Sequence, residues 1–306
     1  MKQAAGTARE ALGAAVDALA AAGIDTPRLD AELLLSEATG RERVELVADP
    51  ESGIPAAAGR SFGEMVRRRL RREPVAYILG RRSFRRIELG VDRRVLIPRP
   101  ETELLVELAL ELAPRRLLDV GTGSGAVALA VADELPGCEV TATDTSAAAL
   151  EVAAANARRL GLEGRVRFLR GTLPESAGEG AFDLIAANLP YVSERDWPSL
   201  QPEVARWEPR EALLAGPDGL DAYRAFAAAL RERTCPRYAG TSAFTLRAVG
   251  LEVGEGQAAA VAELLADAGF AEIETRRDLA GIDRVVVGAG PRRGQSPARP
   301  DEGRGR

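Results

Sequence analysis

Histidine is absent from all 306 residues. Serine–histidine hydrolase triads, histidine general bases and histidine zinc sites are therefore excluded by composition alone. Cysteine is nearly as scarce. Cys138 and Cys235 are too few for a disulfide framework or a thiolate-ligated metal centre, so they read as small packing residues in a reducing compartment, and no metal is expected. Long apolar runs are missing too: the richest stretch, Ala126 to Ala132, soon meets Asp133 and Glu134, well short of the ~20 apolar residues a membrane span needs. Arg9, Glu10 and Asp17 interrupt the alanines of the first twenty residues, so no secretory leader is expected, and the chain reads as soluble and cytoplasmic. Nor does one sign of charge dominate. With 41 basic and 46 acidic side chains the formal net charge is −5, which argues against a protein held to nucleic acid or membrane by bulk charge.

What is present suits a two-domain globular protein, since 46% hydrophobic residues can fill ordinary cores at this length. Leu12, Val16 and Leu19 recur at helical spacing, Gly23 stops that segment, and Thr26-Pro27 opens a second helix carrying Leu29, Leu33 and Leu34. A further helix spans 60–72. Residues 1–82 thus form a helical domain. In 83–98 the positions Phe84, Ile87, Leu89, Val91, Val95 and Ile97 predict two short strands turning near Gly90, a linker hairpin. From 99 to 288 helices and strands alternate, which predicts an α/β domain, a Rossmann-like parallel sheet covered by helices. The tail 289–306 is rich in Gly, Pro and Arg and is expected to be disordered.

Two segments carry chemistry. Asp119-Val-Gly121-Thr122-Gly123-Ser124-Gly125 runs from a strand into a glycine-rich turn that opens a helix, where backbone N–H groups can approach a ligand. Its G-x-G-x-G spacing departs from the dinucleotide fingerprint. Asp119 suits a cationic or amine-bearing ligand, and Asp144, at the end of the next strand, is placed to accept the hydroxyls of a ribose. Both acids together read as a site for S-adenosylmethionine; a nicotinamide cofactor, or a tight turn that binds nothing, are the rival readings. The second segment is Asn188-Leu189-Pro190-Tyr191, after an apolar strand expected beside the first. Asparagine and proline are ordinary turn residues. At the carboxyl end of such a sheet, however, the Asn188 side-chain carbonyl and the Leu189 backbone carbonyl can accept both hydrogens of a planar NH2 group, while Tyr191 stacks on its plane. An amide or an aromatic amine fits equally.

These segments, with Ala22-Gly-Ile-Asp-Thr-Pro-Arg-Leu-Asp-Ala31, Pro74-Val-Ala-Tyr-Ile-Leu-Gly80, Leu96-Ile-Pro-Arg99-Pro-Glu101-Thr-Glu103, Glu208-Pro-Arg-Glu-Ala-Leu213 before Gly219-Leu220, and Asp278-Leu-Ala-Gly-Ile-Asp-Arg284, resemble the peptide chain release factor glutamine N5-methyltransferases, the HemK/PrmC family. The resemblance runs over roughly 11–288. It implies a class I S-adenosylmethionine-dependent methyltransferase that modifies the glutamine of the Gly-Gly-Gln tripeptide of class 1 release factors, with Asn188, Leu189, Pro190 and Tyr191 at the reacting amide. Asp119, Gly121, Thr122, Gly123, Ser124, Gly125, Asp144, Leu173 and Asn188 would hold the cofactor, and Arg99 and Glu101 would close one wall. Three departures stand out. Leu189 replaces the family's usual proline, a form similar to ribosomal RNA adenine dimethyltransferases. Thr172-Leu173 stands where relatives carry an acid and an aromatic near the adenine ring, and 235–245 reads less regularly than the family's stretch there. An adenine-N6 methyltransferase acting on nucleic acid and a non-catalytic release factor or ribosome binding module are the alternatives. Nine arginines between Arg67 and Arg86 form either a solvated face or a docking surface for an acidic partner protein.

Overall fold

The computed structural model describes residues 4–172, 182–234 and 246–290. They divide into two compact units: one holds 4–82, 90–97 and 198–209, the other 83–89, 98–197 and 210–290.

The first unit is built on α1 (Ala8–Ala21), α2 (Pro27–Thr39), α3 (Arg43–Ala48), α4 (Ala56–Leu70) and α5 (Val75–Leu79), with short strands β1 (Ala4–Thr7) and β2 (Gly53–Pro55) paired antiparallel. A capping box starts α1: the Thr7 hydroxyl accepts from the Glu10 amide at 3.2 Å and the Glu10 carboxylate from the Thr7 amide at 2.9 Å. The buried stripe of α2 is Ala31, Leu34 and Leu35 rather than the expected Leu29, Leu33 and Leu34; Leu29 is exposed. That shift lets Asp30 go inward, where it receives Arg69 Nε at 2.7 Å with both side chains buried. The same guanidinium reaches Glu203 at 2.7 Å, and Arg72 meets Glu203 at 2.8 Å. Glu203 lies in a segment that the sequence assigned to a continuous α/β domain beginning at 99. These ion pairs, the 2.8 Å bond from Gln201 to Asp25 and the 3.1 Å bond from the Ile97 amide to Glu208 bring 198–209 into the helical unit instead.

The expected hairpin is displaced. Its strands are β3 (Arg81–Phe84) and β4 (Ile87–Gly90), so the chain turns at Arg85-Arg86, with Arg85 at φ +49°, and not near Gly90; Val95 and Ile97 are buried without forming a strand. Phe84, Ile87 and Leu89 belong to the core of the second unit.

That unit carries α6 (Glu103–Leu112), β5 (Arg116–Val120), α7 (Ala126–Glu134), β6 (Glu139–Asp144), α8 (Ala147–Arg159), β7 (Val166–Arg170) and β8 (Phe182–Asn188). After α9 (Pro202–Trp207), which belongs to the first unit, come α10 (Asp221–Thr234), β9 (Leu246–Glu252), α11 (Ala258–Asp267), β10 (Glu272–Arg277) and β11 (Asp283–Ala289). The seven-stranded sheet has the order β10-β11-β9-β8-β5-β6-β7; its five strands from β9 to β7 pair in parallel, β11 alone runs against them, and the edge strand β10, antiparallel to β11, shares their direction. Apolar cores cover both faces, one around Leu117, Leu129 and Val131, the other around Leu118, Ile185 and Tyr223. Such burial on both sides is why the middles of β8 and β9, residues 184–187 and 248–251, hold no polar side chain. Ala289, placed in the tail by sequence, finishes β11, where it pairs with Glu272 and Ala248. The tail beyond 290, Leu173, and 235–245 lie outside the described residues.

Candidate active site

Strand order reverses between β5 and β8, which sit side by side, and the crevice at the carboxyl ends of such a pair is where open α/β sheets bind ligands. Both chemistry-bearing segments begin there: Asp119 lies in β5 one residue from its end, and Asn188 ends β8.

The glycine turn is held from beneath. Asp119 is buried, and its Oδ2 accepts from the Thr122 hydroxyl at 2.6 Å and the Ala128 amide at 3.1 Å. Burial, above all, pushes its carboxyl up to about 6. Thr122 and Ser124, expected to face a ligand, are buried under the turn; Thr122 is spent on Asp119, and the Ser124 carbonyl accepts from Asn156 at 2.9 Å. What the turn presents is Gly121, exposed, and Gly123, half-buried, both in the left-handed region. A side chain on Gly121 would meet the Asn188 carbonyl oxygen at 3.4 Å, and one on Gly125 would come within 2.8 Å of Leu129, so the turn needs its glycines for the approach to β8 and for packing onto α7. Asp144 divides its carboxylate, one oxygen accepting from the Gly123 amide at 2.9 Å and the other from the Ser146 amide at 2.8 Å. Each oxygen retains a further lone pair.

Across the crevice, the Asn188 side-chain nitrogen donates to Thr102 Oγ1 at 3.2 Å. The Thr102 hydroxyl in turn bonds the carboxyl of Glu252, which ends β9 opposite Asn188 in parallel register. Glu252 is 2% exposed; among the described residues its Oε2 has no hydrogen-bond partner, and burial pushes the carboxyl up to about 7. Glu101 adds to the rise, while Arg284 and Arg99 act against it. Arg99 and Glu101, both half-buried, thus lie within electrostatic reach of Glu252, and of Tyr191, whose phenol burial raises to about 12. Leu189 is packed in the core; the Tyr191 backbone is fastened by Gln257, whose Nε2 donates to the Tyr191 carbonyl at 3.0 Å while its Oε1 accepts from the Gly254 amide.

The structure therefore brings together Asp119, the glycines, Asp144, Asn188, Tyr191, Arg99 and Glu101. Thr102, Glu252, Gln257 and Arg284 escaped sequence reasoning. Thr102, between Glu101 and Glu103, carries no signal of its own in the sequence, and Glu252 gives only that of a lone acid closing an apolar strand. Thr172 is exposed beyond the end of β7. Of the arginine cluster, Arg68, Arg69, Arg72, Arg81 and Arg85 are tied to carboxylates by ion pairs, and the exposed Arg86 reaches Glu134 at 3.8 Å, whereas Arg67, Arg71 and Arg82 face outward. Among the described residues no group of His, Cys, Asp and Glu could hold a metal ion, and no helix is long and apolar enough to cross a membrane.

Among solved structures, the hMettl16 catalytic domain in complex with MAT2A 3′UTR hairpin 6 shares the fold, at a TM-score of 0.51 and 16% identity over 66% of this chain and 75% of that one. Family models match twice: the PrmC N-terminal domain over residues 10–80, and a methyltransferase domain over residues 117–208. The release factor glutamine methyltransferase of Caulobacter vibrioides is 41% identical over 90% of this chain and 93% of its own length. That of Moorella thermoacetica is 43% identical over 92% and 98%, and that of Bordetella pertussis 43% over 89% and 97%. With a switch-point crevice in a class I methyltransferase sheet and relatives that match along nearly their whole length, this chain belongs to the release factor glutamine methyltransferase family.

Proposed function

We propose that the protein transfers a methyl group from S-adenosylmethionine to the side-chain amide nitrogen of the glutamine in the Gly-Gly-Gln motif of class 1 release factors, and so supports translation termination in the cytoplasm. The observation that carries this reading is the Asn188 amide: its nitrogen is spent on Thr102, which turns its carbonyl oxygen away as an acceptor for a planar NH2 group.

The donor set fits the cofactor. Two glycines in the left-handed region offer backbone without side chains, and Asp144 keeps a lone pair on each oxygen for a ribose diol. Asp119, buried under the turn with its Oδ2 on Thr122 and Ala128, supplies negative charge toward a cationic ligand. When bound, S-adenosylmethionine supplies an electrophilic methyl on a sulfonium sulfur and leaves as the neutral thioether. An amide nitrogen is a poor nucleophile because its lone pair is delocalised into the carbonyl. Acceptors at Asn188 Oδ1 and the Leu189 carbonyl would hold both N–H bonds, turn the lone pair toward the methyl carbon and favour the positive charge that develops on nitrogen. Nitrogen gains the methyl and then loses one proton to water. The phenol of Tyr191, kept neutral by burial, would close the site over the amide plane.

The test is methyl transfer to a release factor and, in parallel, to RNA, with mass mapping of the modified peptide. Asn188→Ala should bind S-adenosylmethionine within about threefold of wild type and lose about a hundredfold in kcat. Near-normal turnover by this variant, or transfer to RNA alone by the wild type, overturns the reading.

A further inference from the structure

An asparagine amide can present either end, and nothing in its shape decides which. If the carbonyl of Asn188 is to meet the glutamine NH2, its own NH2 must point the other way, and whatever receives it must be an acceptor there. Thr102 is that neighbour, at 3.2 Å. A hydroxyl is ambiguous too, because it donates as readily as it accepts, and donation to Asn188 would reverse the amide. The ambiguity ends at Glu252, which takes the Thr102 hydrogen bond on a carboxyl that is buried and aligned with Asn188 across the β8–β9 pair.

We infer that Glu252 is a positioning residue for methyl transfer: its carboxylate accepts the hydrogen bond of the Thr102 hydroxyl, so that the Thr102 oxygen must accept from Asn188 and the Asn188 carbonyl must face the substrate nitrogen. This rests on the proposed role of Asn188. It also gives a use to a buried acid whose second oxygen meets no partner among the described residues, a costly feature in a fold that needed only apolar packing at this point.

Only the ionised carboxylate is an unambiguous acceptor. A protonated Glu252 can itself donate to Thr102, freeing the hydroxyl to donate to Asn188 and turn the amide around. Its charge state is set by its surroundings from four sides: Glu101 and Arg99 before α6, Arg284 on β11, Tyr191 after β8, and Tyr223 on α10, whose hydroxyl donates to the Glu252 backbone carbonyl at 2.6 Å. Burial dominates and pushes the carboxyl up to about 7, so the arrangement switches on as pH rises through neutrality.

The experiment combines carboxyl NMR of the unliganded protein with kinetics on a release factor. In the spectrum of protein labelled at glutamate carboxyls, Glu252 should titrate near 7 in wild type, and higher in Thr102→Val, because the hydroxyl bond favours the ionised form. Thr102→Ser should restore the wild-type titration. In kinetics, Thr102→Val and Glu252→Gln should each lower kcat about tenfold, with KM for the release factor and cofactor affinity within about threefold, and the double variant should be little worse than either single one. Thr102→Ser should recover most of the loss. The fall of kcat at acid pH should disappear in Glu252→Gln. If Asn188→Ala abolishes turnover while Thr102→Val and Glu252→Gln keep it, or if Thr102→Val leaves the Glu252 titration unmoved, the relay is wrong and the role of Asn188 stands. If Asn188→Ala is also active, both fall.

Discussion

Glu252→Gln should make the protein more stable at alkaline pH, even though it slows the reaction. In the folded chain the carboxyl is raised from its ordinary 4.5 to about 7, chiefly by burial. A raised carboxyl stabilises the fold while it is protonated. That contribution is fully present below about 4.5 and is lost as pH rises through about 7, because the folded state must then ionise a group that the unfolded chain ionises at no cost. Integrated over proton binding, the loss between about pH 5.5 and about pH 8.5 comes to about 2 kcal/mol. Glutamine has nearly the same shape and no charge to bury, so it escapes this loss. The depressed carboxylates elsewhere, such as Glu32 and Glu134, are common to both proteins and cancel in the difference. Urea titrations of wild type and variant at several pH values give that difference directly. It should move by about 2 kcal/mol in favour of the variant across the interval, with the steepest change between about pH 5 and about pH 7. A difference that is flat with pH would mean that Glu252 titrates as an ordinary exposed acid, and the account of its burial would fail.

Asp144→Ala should weaken S-adenosylmethionine at least tenfold by calorimetry with the fold intact by circular dichroism, since charge-assisted bonds are worth about 1.5–3 kcal/mol each and the Gly123 and Ser146 amides lose their acceptor as well. Arg69→Ala should cost the fold about 3–5 kcal/mol in denaturant titration by leaving the buried Asp30 without its cation and Glu203 with Arg72 alone, while cofactor affinity is unchanged; a loss under about 1 kcal/mol would show that the buried pairs are compensated.

Most of the sheet was legible because its signals are local. The segment Ala126–Glu134 opens directly behind the glycines, and Val166–Arg170 is β-branched and aromatic between turns, so periodicity alone bounds both. The hairpin turn was misplaced because Gly90 is the residue that ordinarily marks one, whereas the chain puts Arg85 into the left-handed region and rewards it with Glu134 at 2.5 Å, a contact made across 49 residues. The same limit governs the site. Asp119, Asp144 and Asn188 announce themselves at strand ends, but what each carboxylate or amide bonds to is decided by how the chain folds around it, nearby for Asp119 and 86 residues away for Asn188. Thus Asp119 was expected to face a ligand and instead spends an oxygen on Thr122 and Ala128, and Thr102 acquires meaning only from Glu252. Much of the arginine run likewise found carboxylates inside the protein, as with Arg69 and Arg72 on Glu203.

That last pairing has a consequence for how the chain is made. Arg72 and Glu203 are 131 residues apart, and Arg69 depends on the same carboxylate. At ~5–20 residues per second, the ribosome delivers the helices that carry the arginines on the order of 10 s before it delivers their acid. Throughout that interval Asp30 alone must answer the charge of Arg69, so the first segment to emerge cannot reach its final stability by itself. Its completion waits for a stretch synthesised after four of the five parallel strands, which ties the maturation of the N-terminal helices to the successful synthesis of most of the catalytic sheet.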